Sequence, residues 1–254
     1  MSGFLSKLLK PLGAPAEPSE PTHGVSSFHL WWQELESGEP FTEASATLEI
    51  LQAPSVDRLY FWAFQVSFLE GEHSTGSAHI GLQWNPNHPN NRAVNWGGYS
   101  NVADVTSILD GTASPLPSTP NDPNTRDFPW QESTPYRFRV SRAYDGWRGD
   151  VTNVSTGRVE HVRTLRAAGS RLSAFVVWAE VFAGCKDPRS MARWSDFEAK
   201  TATGVVRRPA TVRTSFPNGG DCPNTDVLVD GAGLVLLTNA RRTAPVGGVL
   251  PVPR

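Results

Sequence analysis

The sequence predicts an all-β protein with the architecture of an antiparallel β-sandwich or jelly roll. About a dozen short runs alternate apolar and polar residues with a period of two, which is the pattern of half-buried strands. The 254 residues include 21 prolines and 22 glycines, a content that favours many turns over long helices. No repeat period is visible, which argues against a propeller or a solenoid. The length fits one large β-domain.

The two ends of the chain differ from its middle. We expect residues 1–24 to be a flexible N-terminal segment with a Pro-rich linker, residues 25–242 to form the β-sandwich, and residues 243–254 to be a loose tail. The apolar run at the start is broken by Lys7 and Lys10, so it resembles neither a signal peptide nor a membrane span. The default expectation is a cytoplasmic protein, with secretion by another route left open. The sequence does not indicate a role for residues 1–24.

Strands are predicted in the first half of the chain at 25–32, 42–51, 59–68, 78–84 and 93–96. The run 59–68 is the clearest, because Tyr60, Trp62 and Phe64 alternate with Phe61 and Gln65. The segment 42–51 could be read as a helix, but its alternation favours a strand. Residues 70–77 are expected to form a polar turn, and Gly97 and Gly98 are expected to end the strand that begins at 93.

The second half of the chain begins with less regular segments. A helical turn is predicted at 102–109, and a long Pro-rich loop is predicted at 110–129. Strands follow at 135–142, 149–154, 158–165, 172–182, 204–216 and 226–239, and residues 192–199 could be a strand or a helical turn. The run at 172–182 is the most apolar and is therefore expected to lie centrally.

Charge and cysteine content exclude two classes of function. A net charge of −2 argues against a nucleic-acid partner, which needs a concentrated basic surface. Cys185 and Cys222 form no metal-binding pattern, which argues against a structural zinc site. With a cytoplasmic chain as the default, we expect these cysteines to be reduced rather than bonded, although a disulfide stays open. No cofactor is expected, and calcium at residues 121–127 is a minor alternative because an EF-hand spacing is missing.

One sheet face gathers polar and aromatic residues in an unusual density. If the even-numbered residues of 60–84 are buried, then the opposite parity collects amides, a histidine and arginines, and the apolar strand adds Trp178 and Glu180. Such a mixture suits a sugar, whose hydroxyls hydrogen bond while its ring faces stack on aromatic side chains. Glu180 needs a partner within its apolar run, and Arg137 or Arg139 is predicted to supply one. The predicted ligand-binding residues are Gln65, His79, Gln83, Asn95, Arg139, Trp178 and Glu180.

Several segments also resemble an uncharacterised family known only as a domain of unknown function. The resemblance lies in YFWAFQVSF (60–68), GSAHIGLQWN (76–85), AVNWGGYSN (93–101), GWRGDVTNVSTG (146–157), FVVWAEVF (175–182) and CPNTDV (222–227). That family is similar to the concanavalin-like jelly rolls of lectins and glucanases. The resemblance implies a fold and no activity.

Three functions remain open from the sequence. The first is a carbohydrate-binding, lectin-like domain. The second is a glycoside hydrolase or polysaccharide lyase with Glu180 as candidate catalytic residue, which requires a second carboxylate within about 10 Å. The third is a structural or protein-interaction domain without a small ligand, whose polar face is simply the solvated side of an antiparallel sheet. Whether the protein is an enzyme is left open, a glycan is the expected partner, and the oligomeric state is not predicted.

Overall fold

A computed structural model of the protein describes residues 26–101, 106–118, 122–216, 222 and 224–253. Nearly all of its regular structure is β-strand, and one short 3₁₀ turn, Pro89–Asn91, is present. The strands are β1 (Ser26–Trp32), β2 (Phe41–Gln52), β3 (Tyr60–Glu70), β4 (His73–Trp84), β5 (Arg92–Ser100), β6 (Ser107–Ile108), β7 (Thr125–Asp127), β8 (Pro135–Ala143), β9 (Gly146–Asn153), β10 (Val159–Leu165), β11 (Arg171–Val181), β12 (Met191–Thr201), β13 (Val206–Arg207), β14 (Thr211–Ser215), β15 (Thr225–Val229), β16 (Leu234–Thr238) and β17 (Val249–Pro251).

The strands form two antiparallel sheets, which confirms the predicted β-sandwich. The first sheet has the order β17-β14-β1-β11-β3-β4-β5, and β6 and β7 continue it beyond β5. The second has the order β15-β16-β12-β2-β8-β9-β10, and the short β13 also pairs with β12. A single pairing of Leu172 with Phe41 links the two sheets at one margin.

The core lies between the sheets and is rich in aromatic side chains. Trp32 of the first sheet lies 5.2 Å from Phe197 of the second, and Phe68 stacks on Trp147 at 5.3 Å between ring centroids. The predicted inward parity is confirmed, because the even-numbered side chains of β3 from Tyr60 to Phe68 are at most 1% exposed. Burial on this scale is the main stabilising contribution to a domain of this kind.

Most strand predictions are confirmed, and the differences occur where apolar alternation stops. β4 begins at His73, inside the predicted turn, because exposed polar residues extend it beyond the core. β5 continues through Gly97 and Gly98 to Ser100 instead of ending there. Residues Ser107–Ile108 form a strand rather than part of a helical turn, while positions 102–105 of that prediction lie outside the described residues.

The C-terminal segment is bound to the first sheet, so the prediction of a loose tail is wrong. β17 pairs with β14, with Val212 opposite Leu250. The backbone N–H groups of Thr243 and Ala244 donate hydrogen bonds to the buried carboxylate of Asp226 at 2.9 and 3.0 Å. The predicted N-terminal segment, 1–24, lies outside the described residues.

Cys185 and Cys222 form a disulfide, so the expectation of a reduced pair is wrong. Their Cα atoms are 5.3 Å apart, within the ordinary range for a disulfide. The bond joins the β11–β12 connection to the segment before β15. Asn224 strengthens this junction by donating from Nδ2 to the carbonyl oxygen of Cys185 at 3.1 Å.

Among the described residues, no helix has the length and apolar character that crossing a membrane requires.

Candidate functional site

The outer face of the first sheet carries the candidate site, which we call the polar–aromatic face. Strand pairing places its residues in three rows that cross the sheet. The first row is Arg213, Trp31, Val176, Gln65, His79 and Gly97; the second is Ser215, His29, Trp178, Ala63, Gly81 and Asn95; the third is Ser27, Glu180, Phe61, Gln83 and Ala93. Laterally paired residues project from the same side of a sheet. Six of the seven predicted ligand-binding residues therefore share this face.

The middle of the face is a packed aromatic cluster. The ring of Trp178 lies 5.0 Å from Phe61 and 5.6 Å from His79, and Phe61 and His79 are 5.4 Å apart. These rings cover Ala63, which is fully buried. The small residues Ala63 and Gly81 of the second row thus leave room for the large rings around them.

A hydrogen bond connects this cluster to Gln65, and burial determines the charge of its histidine. Trp178 donates from Nε1 to Oε1 of Gln65 at 3.2 Å, which connects the aromatic cluster to an amide. Burial lowers the pKa of His79 to about 4, so its imidazole is neutral at pH 7. The centre of the face is therefore uncharged and apolar, with an amide at its edge.

The accessible part of the face lies on β1 and β11. His29 and Trp31 are partly exposed, and their ring centroids are 6.1 Å apart. His29 is also 6.1 Å from Trp178, and burial lowers its pKa. Glu180, also partly exposed, lies in the neighbouring row. The accessible surface is a strip of rings with a carboxylate beside it.

Sequence reasoning did not include His29 and Trp31 in the site, although a signal for them exists. In β1, Phe28, Leu30 and Trp32 are buried, so His29 and Trp31 alternate to the outer face. The same parity argument that selected Gln65 would have selected them. The parity argument does not reveal that β1 lies next to β11.

The amides on the β4–β5 side are more buried than a solvated sheet requires. Gln83 and Asn95 are 5% and 6% exposed. Gln83 accepts a hydrogen bond from Nδ2 of Asn85 at 2.9 Å, and Asn95 donates from Nδ2 to Oγ1 of Thr125 at 3.0 Å. Oδ1 of Asn95 is buried without a hydrogen-bond partner among the described residues. The main role of these amides is therefore to stabilise the β4–β5 edge of the polar–aromatic face.

Arg139 does not belong to this face, which corrects the prediction. It lies on β8 in the second sheet, where it pairs with Ser45 and Asp150. Its guanidinium donates to Asp150 at 2.9 Å. Alternation along a strand determines which side a residue takes but not which of two sheets the strand joins.

Arg137 is likewise not the partner that was predicted for Glu180. Its guanidinium donates to Ser45 at 2.8 Å and pairs with Glu198, all on the outer face of the second sheet. An ion pair between Glu180 and an arginine of β8 is therefore excluded by the strand order.

Glu180 has no carboxylate beside it in the rows of the face as the structure describes them. Its lateral neighbours are Ser27 and Phe61, and its row ends at Ala93 of β5, beyond which Asp127 of β7 pairs with Ala93. Four strand spacings of about 4.8 Å separate Glu180 from Asp127, roughly 19 Å in total. Glycosidases need two carboxylates within about 5 to 9.5 Å, so this row does not supply such a pair.

Of the segment 121–127, where calcium was a minor alternative, residue 121 lies outside the described residues and Asp122 binds the local backbone. Asp122 accepts hydrogen bonds from the N–H groups of Asn124 and Thr125 at 3.1 and 2.9 Å. Within the described part of the chain, no three His, Cys, Asp or Glu side chains are grouped to hold a metal ion.

Comparisons with known proteins give only distant structural likenesses. No protein-family model matches the chain, and no curated protein matches it. The expected membership of an uncharacterised domain family therefore stays a prediction.

Among solved structures, a scytalido-glutamic peptidase in complex with a peptide-based transition-state analogue is similar, with a TM-score of 0.42 and 11% identity, over 87% of this chain and 98% of that chain. The alginate lyase from Klebsiella pneumoniae has a TM-score of 0.32 and 12% identity, over 66% of this chain and 62% of that chain. The enzymatically active domain of tailspike protein 2 from bacteriophage CBA120 has a TM-score of 0.32 and 14% identity, over 75% of this chain and 24% of that chain. With TM-scores this low, these likenesses carry no argument, and the β-sandwich stands on the strand pairing alone.

Proposed function

We propose that this β-sandwich binds carbohydrate through the polar–aromatic face. The observation that carries the proposal is the pair of partly exposed rings of His29 and Trp31 on β1, which lie next to the buried ring of Trp178 on β11. Glu180 lies in the neighbouring row, and Gln65 accepts a hydrogen bond from the indole of Trp178. Aromatic rings stack on the apolar faces of sugar rings, while a carboxylate and an amide accept and donate hydrogen bonds to hydroxyls.

The charge on the face favours a sugar with little charge of its own. His79 is neutral at pH 7, because burial lowers its pKa to about 4, and burial also lowers the pKa of His29. In the three rows of described residues, Glu180 and Arg213 are the charged side chains and have opposite signs. A polyanion gains little from such a surface.

The test begins with a glycan array and continues with calorimetric titration of the best oligosaccharide. We expect Trp31→Ala to weaken binding about tenfold or more, since loss of one stacked ring is worth about 1.4 kcal/mol. Tyr144→Ala is the matched control, because Tyr144 is a fully exposed aromatic residue on the β8–β9 turn of the other sheet. Thermal unfolding of both variants checks that they fold.

Two outcomes decide against the proposal. If no glycan binds, the face is the solvated side of a structural or protein-interaction domain. If a glycan binds equally well to Trp31→Ala and to the wild type, its site lies elsewhere. The hydrolase or lyase alternative is not favoured, because Glu180 lacks a neighbouring carboxylate in the described rows.

A further inference from the structure

A pocket of about 350 Å³ lies away from the polar–aromatic face, where the long loop before β8 meets the end of the β8–β9–β10 meander. Its walls are largely apolar and include Leu116, Pro117, Phe128 and Tyr136. None of its lining residues belongs to the three rows of the candidate site, and the one that adjoins them is Asp127, which pairs with Ala93 at the end of the third row. The volume is within the range of sites for small organic molecules, about 300 to 1,000 Å³.

The charged side chains of the pocket carry a net negative charge. Asp127, Glu160 and Arg158 line it, which gives two carboxylates against one guanidinium. The side chain of Arg158 is 78% exposed, whereas those of Asp127 and Glu160 are 26% and 22% exposed. The cation therefore extends into solvent, and the two anions lie closer to the apolar walls.

One oxygen of each carboxylate already has a side-chain nitrogen as its partner. Oδ1 of Asp127 lies 2.7 Å from Nδ1 of His88, and Oε1 of Glu160 lies 2.5 Å from Nη2 of Arg158. Among the described residues, the second oxygen of each carboxylate has no hydrogen-bond partner. Two acceptors are thus available to a ligand that brings N–H donors.

The aromatic wall also favours a cation. The rings of Phe128 and Tyr136 meet edge to face with centroids 5.5 Å apart. A cation over an aromatic ring is attracted by the ring quadrupole, and the attraction grows where water is partly excluded. Rings and carboxylates together form the pattern that recognises organic ammonium groups.

We propose that this pocket binds a small molecule or side chain that carries a protonated amine on an apolar or aromatic body. The apolar part packs between the prolines and Phe128, and the ammonium group lies between Asp127 and Glu160. This site is independent of carbohydrate binding.

The experiment compares three ligands that share one body and differ in charge. The full-length protein is titrated with 2-phenylethylamine, 2-phenylethanol and phenylacetate, and backbone amide shifts are followed by NMR. We expect the amine to bind at least about threefold more tightly than the alcohol, because two partly exposed carboxylates contribute modestly to affinity. Phenylacetate should bind most weakly, and added salt should weaken only the binding of the amine.

Variants test whether the amine binds in this pocket or elsewhere on the protein. Glu160→Gln should weaken binding of the amine roughly two- to fivefold and leave that of the alcohol unchanged. Glu72→Gln is the matched control, since this glutamate also pairs with an arginine but is 92% exposed at the β3–β4 turn. Trp31→Ala should not affect binding of the amine. Equal affinities for amine and alcohol, tightest binding of phenylacetate, or no shift with millimolar amine would each overturn the proposal.

Discussion

Asp150 of β9 shows how a single buried carboxylate organises the outer face of the second sheet. It is 1% exposed and accepts hydrogen bonds from Arg139, Arg148 and His161 at 2.7 to 3.1 Å. Burial alone would raise its pKa, but the hydrogen bonds from Arg139, Arg148 and His161 outweigh burial and lower it. The ionised form is therefore the one that stabilises the fold.

We expect Asp150→Asn to lower the free energy of unfolding by about 2 kcal/mol at pH 7, measured by urea denaturation. This loss is smaller than the loss expected on breaking a fully buried ion pair, because the side chains of Arg139 and Arg148 are 45% and 44% exposed and water screens their charges. A lowered pKa means that this stabilisation is present above the unfolded value of about 3.9 and is lost as the pH falls through the folded value. Stability that falls equally in the variant and the wild type below pH 4 would contradict this account.

The spacing between the two sheets depends on Gly149 of β9. A Cβ atom at this position would lie 2.7 Å from the indole of Trp96, which belongs to β5 of the opposite sheet. We expect Gly149→Ala to destabilise the protein by about 1 to 3 kcal/mol through overpacking. Gly184→Ala is the matched control, since its Cβ would meet only Asp187 at an ordinary 3.4 Å. Equal urea midpoints for the two variants would show that the sheets can separate without cost.

The same packing explains which strands the sequence could predict. β3 is predicted nearly to its ends, because alternation from Tyr60 to Phe68 reports directly on the core. The sequence predicts that Gly97 and Gly98 end this strand, but they lie inside β5. Their Cβ atoms would meet the side chain of Asn124 at 2.7 Å and the backbone oxygen of Ser77 at 2.1 Å. These contacts come from segments distant along the chain, so no local pattern reveals them.

The candidate site could be predicted as far as local alternation determines it, and no further. The parity of Gln65, His79 and Gln83 follows from local alternation, and the structure confirms it. The inclusion of Arg139 failed and Trp31 was missed, because both errors concern which strands are neighbours. Strand order is set by contacts over long sequence separations, and a single sequence does not contain them explicitly.

At the scale of the whole molecule, the disulfide between Cys185 and Cys222 joins segments that flank β12 and β15. It closes a loop of 37 residues and should contribute about 4 kcal/mol by restricting the unfolded chain. Such bonds persist mainly in oxidising compartments.

We expect reduction, or replacement of both cysteines by serine, to lower the unfolding free energy by up to about 4 kcal/mol with the fold retained. The measurement is a urea titration with and without reductant, together with mass analysis after thiol alkylation. Two free thiols in protein purified without reductant, or identical midpoints in both conditions, would contradict the assignment.

The most direct test of the central claim, that the polar–aromatic face binds carbohydrate, is an NMR titration that follows the indole N–H signals of the nine tryptophans. On addition of a bound oligosaccharide, the signals of Trp31 and Trp178 should shift. Those of the fully buried Trp62, Trp96, Trp130, Trp147 and Trp194 should stay in place. Shifts confined to those buried tryptophans, or no shift of Trp31 at saturation, would contradict the proposal.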